Sequence, residues 1–263
     1  MIRFGARHGA MQLSLLALMV MVGCLTPPLS PPVGVRTSDV EEVETSFRSG
    51  GEEIRVDVYR PKSAGRHAVA IILHGSGGIH AIAPSTTNRY ARTLAQLGVE
   101  ALVVHYFDGT GHFRADDQAE RDFYYHWVRE VKDAVTWVRR RTDVQSNRIS
   151  LVGQSLGSWV AVGAAVGDPR IYRIALFGAG LEPFLEDSLA RVPPMLLFHG
   201  DADDVVPLSD AKHLAALLTA NGRRVQLVVY PGERHTLSDS AATDALLRTA
   251  RFIDPKRGIV PRR

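Results

Sequence analysis

Apolar positions along the chain fall into two kinds of run. The stretch "EEIRVDVYR" (52–60) alternates apolar and polar residues as a half-exposed strand does, whereas "AVAIILHG" (68–75) and "VEALVVHY" (99–106) are continuous, the mark of strands covered on both faces. Between the last two, "TTNRYARTLAQLG" has helical spacing and stops at Gly98. A second helix is predicted over "HWVREVKDAVTWVRRR" (126–141), then a strand at "RISLVG" and a helix at "LGSWVAVGAAVG". The alternation continues through "IYRIALFG", "MLLFHG", a helix at 208–220, "RVQLVVY" and a last helix at about 239–253. Strand and helix repeated in this way predict an α/β fold, a mostly parallel central sheet with helices on both faces. In such sheets ligands bind where the strands end, so chemistry is sought at the strand exits.

The first forty residues do not share this pattern. Arg3, Arg7 and His8 precede the apolar run "AMQLSLLALMVMVG", which ends after 14 residues at Cys24. That run is short for a membrane span, which needs roughly 20 apolar residues, and it has the shape of a secretory signal. Residues 1–23 are therefore read as a signal peptide of lipoprotein type. "MVGC" resembles a bacterial lipoprotein signal, although Met21 stands where Leu, Val or Ile is usual. The resemblance implies that Cys24 becomes the lipid-modified first residue of an exported, membrane-anchored protein facing the periplasm or cell exterior. Residues 24–39, with four prolines in "TPPLSPPVGVRTS", read as an extended tether, and 40–263 as one domain. With Cys24 the only cysteine, an intrachain disulfide is excluded.

Composition narrows the partners. The net charge of +3 comes without a run of Lys and Arg interleaved with aromatics, which argues against nucleic acid. No grouping of His, Cys, Asp and Glu has metal-ligand spacing, so neither metal nor cofactor is expected. The residues do not set an oligomeric state.

The strand exits carry the chemistry. Ser155 follows "ISLVG" directly, lies between Gly153 and Gly157, and precedes a helix. A strand-to-helix turn that presents a nucleophilic serine needs small residues on both sides, because strand and helix approach closely there. The competing reading is a serine that caps the helix N-terminus. Helix N-H groups beyond Ser155 would face the negative charge that attack on a carbonyl creates. The Leu156 N-H is the first oxyanion donor on this reading. The second comes from the glycine-rich turn "HGSGG" (74–78), where Ser76 is favoured, with Gly75 and Gly77 beside it.

Serine needs a base, and the base needs a carboxylate to orient it. "HGDADDVVP" offers Asp201, Asp203 and Asp204 after one strand, and "YPGERH" offers His235 after the next. The order Ser, Asp, His is that of the α/β-hydrolases. His74 and His199, each at a strand end before a glycine, read as loop ties. His105, His112 and His126 flank an aromatic segment (106–127) that either roofs the cleft or packs on the sheet edge.

"HGSGG", "GQSLG", "HGDADDVVP" and "YPGERH" resemble the signature segments of α/β-hydrolases, and "VVHYFDGTG" with the compact layout is most similar to the dienelactone hydrolase family, over about residues 50–255. The resemblance implies the α/β-hydrolase fold and, at the fifth position of His-Gly-x-x-Asp-x-x-Val-Pro, Asp203 as the acid. Dienelactone hydrolase itself uses cysteine, whereas position 155 is serine, so the expectation is a serine esterase. Between "FGAG" and "MLLFHG" only "LEPFLEDSLARVPP" intervenes, which leaves no room for a large cap and points to esters of small or medium acyl groups. The alternatives are a peptidase resembling prolyl oligopeptidase, an acyltransferase using the same triad, or a non-catalytic binding protein on this fold.

Overall fold

The structure is a computed structural model and describes residues 39–79 and 85–256; the expected signal peptide, Cys24 and the tether to 38 lie outside the described residues. Eight strands form one sheet in the order β1-β2-β4-β3-β5-β6-β7-β8: β1 (Val40–Ser49), β2 (Glu52–Pro61), β3 (His67–Leu73), β4 (Glu100–Val104), β5 (Val144–Gln154), β6 (Ile171–Phe177), β7 (Met195–Gly200) and β8 (Val225–Tyr230). The β1–β2 and β2–β4 pairs are antiparallel and the remaining pairs are parallel. Five α-helices cover the sheet: α1 (Thr86–Gln96), α2 (Asp117–Arg139), α3 (Leu156–Ala165), α4 (Leu208–Ala220) and α5 (Asp239–Ile253). This is the expected α/β-hydrolase architecture. The stretch 181–194 forms a 3₁₀ segment, Pro183–Arg191, with no multi-helix cap.

The continuous apolar runs are continuous because both faces of the central strands are buried. In β3 every residue is buried; Val69, Ile71 and Leu73 join the core beneath α2, α3 and α4, while Ala68, Ala70 and Ile72 join the core beneath α1 and α5. The aromatic segment mostly packs: Tyr106, Phe107, Tyr124 and Trp127 are buried in the first of these cores, and Phe113 and Tyr125 stay exposed.

Three elements differ from the sequence expectation, among them β5, which begins at Val144, ahead of the expected "RISLVG". β1 is a polar edge strand whose register runs from Val40↔Pro61 to Ser49↔Glu52, closed by Gly50 and Gly51, both at positive φ as a tight hairpin turn demands. Helix α2 starts at Asp117 rather than 126, because the Asp116 carboxylate accepts from Ala119 N at 2.9 Å and caps an earlier first turn.

Glu130, on α2, is fully buried, 3.0 Å from His126 Nε2. Burial, helped by the charges of Asp108, Asp133 and Glu52 and opposed by Arg129, pushes its carboxyl up to about 8. A carboxyl raised in the folded state holds its proton there after the unfolded chain has lost it, so stability falls as pH climbs from the ordinary carboxylate range to 8. Glu130→Gln is therefore expected to be nearly neutral in urea unfolding at pH 5 and stabilising by about 2–4 kcal/mol at pH 8. An equal effect at the two pH values would contradict the buried neutral carboxyl.

Candidate active site

At the end of β5 the chain turns into α3 through Ser155, whose φ of 49° and ψ of −126° make it the one non-glycine residue at positive φ among the described residues. Such a conformation costs about 1–3 kcal/mol and persists only where the surroundings enforce it. Those surroundings are close. A Cβ on Gly157 would overlap the carbonyl oxygens of Leu73 and His74, and one on Gly153 would stand 2.7 Å from Ser158 Cα. The Ser155 N-H donates to Phe177 O at 2.9 Å, which anchors the turn to β6. Its side chain makes no capping hydrogen bond to α3, and its backbone is not that of a capping residue. The capping explanation for this serine thus does not fit the geometry.

His235 follows β8 and reaches back to the acidic turn after β7. Its Nδ1 lies 2.9 Å from Asp203 Oδ2 and 3.1 Å from Oδ1. The Asp203 side chain is 1% exposed, and Val205 N and Val206 N each donate to Oδ1 at 2.9 Å. Burial alone would raise this carboxyl, but the hydrogen bond from His235, together with those from Val206 and Val205, outweighs it and holds Asp203 below the ordinary carboxylate value. The neighbouring acids do other work: Asp201 accepts from Gly232 N at 2.6 Å, and Asp204 pairs with Arg234 in solvent. Gly178, at φ of 60°, leaves room for the imidazole; a Cβ there would lie 2.9 Å from His235 Cε1.

Ser155, Asp203 and His235 line one cavity of about 270 Å³ together with Ser76 and the glycines around it. No hydrogen bond joins the Ser155 hydroxyl to His235 among the described residues; in unliganded sites such bonds commonly tighten only with substrate. The "HGSGG" turn is closed by Gly78 N donating to Gly75 O at 3.0 Å and pinned by Ala115 N donating to Ser76 O at 2.8 Å. Gly75 lies against the serine, since its Cβ would stand 3.2 Å from Ser155 Cβ. Leu156, the first residue of α3, is buried directly behind Ser155.

His74 ties its own turn, with Nδ1 2.8 Å from Gly75 O, and Tyr106 stacks on it while donating to His74 O at 2.7 Å. Gln154, unremarked in the sequence, also lines the cavity and accepts from Thr87 Oγ1 at 2.7 Å, which docks the first turn of α1 onto the elbow. Its position between a glycine and the serine was the available signal. Tyr90, Phe177 and Phe198 form an apolar wall, with ring centroids 5.0 and 4.8 Å apart.

Comparison with known proteins agrees with this fold. An isoprenylcysteine alpha-carbonyl methylesterase of Arabidopsis thaliana is 34% identical over 55 residues, 21% of this chain, and the chain spans only 13% of that relative's length. Among solved structures, a dienelactone hydrolase-like promiscuous phosphotriesterase from metagenomic libraries superposes with a TM-score of 0.72 at 16% identity, covering 82% of this chain and 98% of that one. A hyperthermophilic esterase from Pyrobaculum calidifontis gives 0.65 at 20% identity, covering 84% of each. At these identities the superpositions speak for the fold. The dienelactone hydrolase family model matches residues 54–250, nearly the whole span from β2 through α5, and the chain belongs to that family of hydrolases.

Proposed function

We propose that the protein is a serine hydrolase that cleaves carboxylic esters of small to medium acyl groups through an acyl-enzyme. The observation that carries this reading is the convergence on one cavity of a serine at an enforced positive φ and an imidazole hydrogen-bonded to a buried carboxylate. Ser155 Oγ attacks the ester carbonyl as His235 Nε2 takes its proton. Asp203 holds Nδ1-H and stabilises the imidazolium. The N-H groups of Leu156 and Ser76 receive the oxyanion. His235 then protonates the departing alcohol, and water, activated by the same imidazole, releases the acid. The small cavity and the absence of a multi-helix cap in 181–194 support short acyl groups over long-chain lipids.

A stopped-flow experiment tests this reading: p-nitrophenyl butyrate should give a burst of one p-nitrophenolate per chain, and aminoacyl p-nitroanilides should turn over at least a hundredfold more slowly. Preference for the anilides would indicate a peptidase. Transfer to added alcohols in preference to water would indicate an acyltransferase, and no turnover of any ester a binding protein.

The proposal includes export and anchoring. Residues 1–23 are the signal peptide, and Cys24 carries the lipid, supported by the placement of the sole cysteine at the end of the apolar run. Cys24→Ser is expected to move the protein from the membrane to the soluble fraction; undiminished membrane association would contradict the anchor.

A further inference from the structure

His199, the penultimate residue of β7, is 1% exposed. Its Nε2 stands 2.9 Å from Val206 O and 3.3 Å from Asp203 Oδ2. A carbonyl oxygen can only accept, so Nε2 carries the hydrogen. Nδ1 is buried and has no hydrogen-bond partner among the described residues. The Nε2-H therefore donates to the Val206 carbonyl, with Nε2 standing 3.3 Å from the carboxylate.

The same backbone residue closes the arrangement from the other side. Val206 N donates to Asp203 Oδ1 while Val206 O receives from His199, so one residue of the turn ties the imidazole to the carboxylate. Oδ2 is left facing His235 Nδ1 at 2.9 Å. A tie to Val206 alone would not require the approach to Oδ2. A cation at this position would compete for the carboxylate's charge, and an apolar residue would remove both the tie to Val206 O and the polar atom beside Oδ2. Other ionisable groups of these turns are occupied elsewhere: Asp201 with Gly232 N, Asp204 with Arg234, and Glu233 with Ser238.

We propose that His199 is a positioning residue for hydrolysis, its Nε2-H anchored on Val206 O beside Asp203 Oδ2 and so holding the carboxylate in the orientation that keeps the His235 imidazole toward Ser155. The proposal rests on Ser155, Asp203 and His235 acting as the triad. Once oriented in this way, the carboxylate shares its charge with one dipole and one base.

The test compares His199→Leu, which lacks the donor, with His199→Gln, which keeps a donor near the Nε2 position and cannot titrate. For p-nitrophenyl butyrate the leucine variant is expected to lose ten- to a hundredfold in kcat with KM within twofold. The acid limb of kcat/KM should move to higher pH, because a carboxylate without the imidazole N-H beside it stabilises the His235 imidazolium more strongly. The glutamine variant should recover to within about fivefold of the parent. A folded leucine variant with the parent's kcat and acid limb, or a glutamine variant as impaired as leucine, would overturn the proposal. The wild-type protein supplies a check independent of any variant's folding: ¹⁵N shifts must show a hydrogen on His199 Nε2, and a ring bare at Nε2 would overturn it. Full activity in Ser155→Ala would remove the triad itself, whereas an inactive Ser155→Ala beside unaffected His199 variants would remove this inference alone.

Discussion

Ser155→Ala is expected to lower kcat for p-nitrophenyl butyrate by about 10⁴-fold or more, the loss typical when the nucleophile of such a triad is removed. On the proposed mechanism the oxyanion donors and the cavity remain, so a trace of rate above water should persist. The change deletes one oxygen that caps nothing and leaves the residue at the same positive φ, where alanine is no more strained than serine. Thermal unfolding should accordingly stay within about 2 °C of the parent, a shift worth at most about 1 kcal/mol. That pairing separates a lost nucleophile from a damaged fold. Appreciable residual turnover in a folded Ser155→Ala would mean that the elbow serves something other than covalent catalysis.

Asp203→Asn should follow closely, with a loss in kcat of about 10³–10⁴-fold near neutral pH. The carboxylate accepts three backbone and imidazole donors within 3.1 Å, and an amide cannot keep all of them. With Val205 N and Val206 N still claiming an oxygen, the amide presents its NH₂ to His235. The imidazole then has to accept at Nδ1 and carry its hydrogen on Nε2, where it cannot take the serine proton. Because the defect is a wrong tautomer, raising the pH toward deprotonated alternatives should recover part of the rate, whereas Ser155→Ala should stay inactive throughout. An Asp203→Asn enzyme within tenfold of the parent would transfer the acid's role to another residue; Asp201, already bonded to Gly232 N, and exposed Asp204 are the neighbours to replace next.

Much of this arrangement is legible in the residues themselves. β3 and β4 announce themselves as double-covered strands because nothing polar interrupts their runs Ala68–Leu73 and Ala101–Val104, and α4 and α5 occupy the expected residues 208–220 and 239–253. β1 escapes because an edge strand exposed along most of its length has no apolar alternation to display; its register depends on β2 and two glycines. The start of α2 escapes because the aromatics from Phe123 to Trp127 mask a helical period that the Asp116 cap begins earlier. At the site, spacing alone left three aspartates after β7 open. The geometry distinguishes them through backbone donors on Asp203, which depend on how the turn closes. The approach of His199 to the carboxylate was equally hidden, because two residues four apart meet only when the strand end and turn fold back on each other.

The central claim is that the hydroxyl at position 155 forms a covalent bond during turnover. Its most direct test is to treat the protein with a fluorophosphonate, measure the intact mass and map the modified peptide. The account predicts one adduct per chain, on Ser155, with activity lost in proportion to labelling. Complete inhibition with the adduct elsewhere, or ester turnover undiminished by full labelling of Ser155, would contradict it.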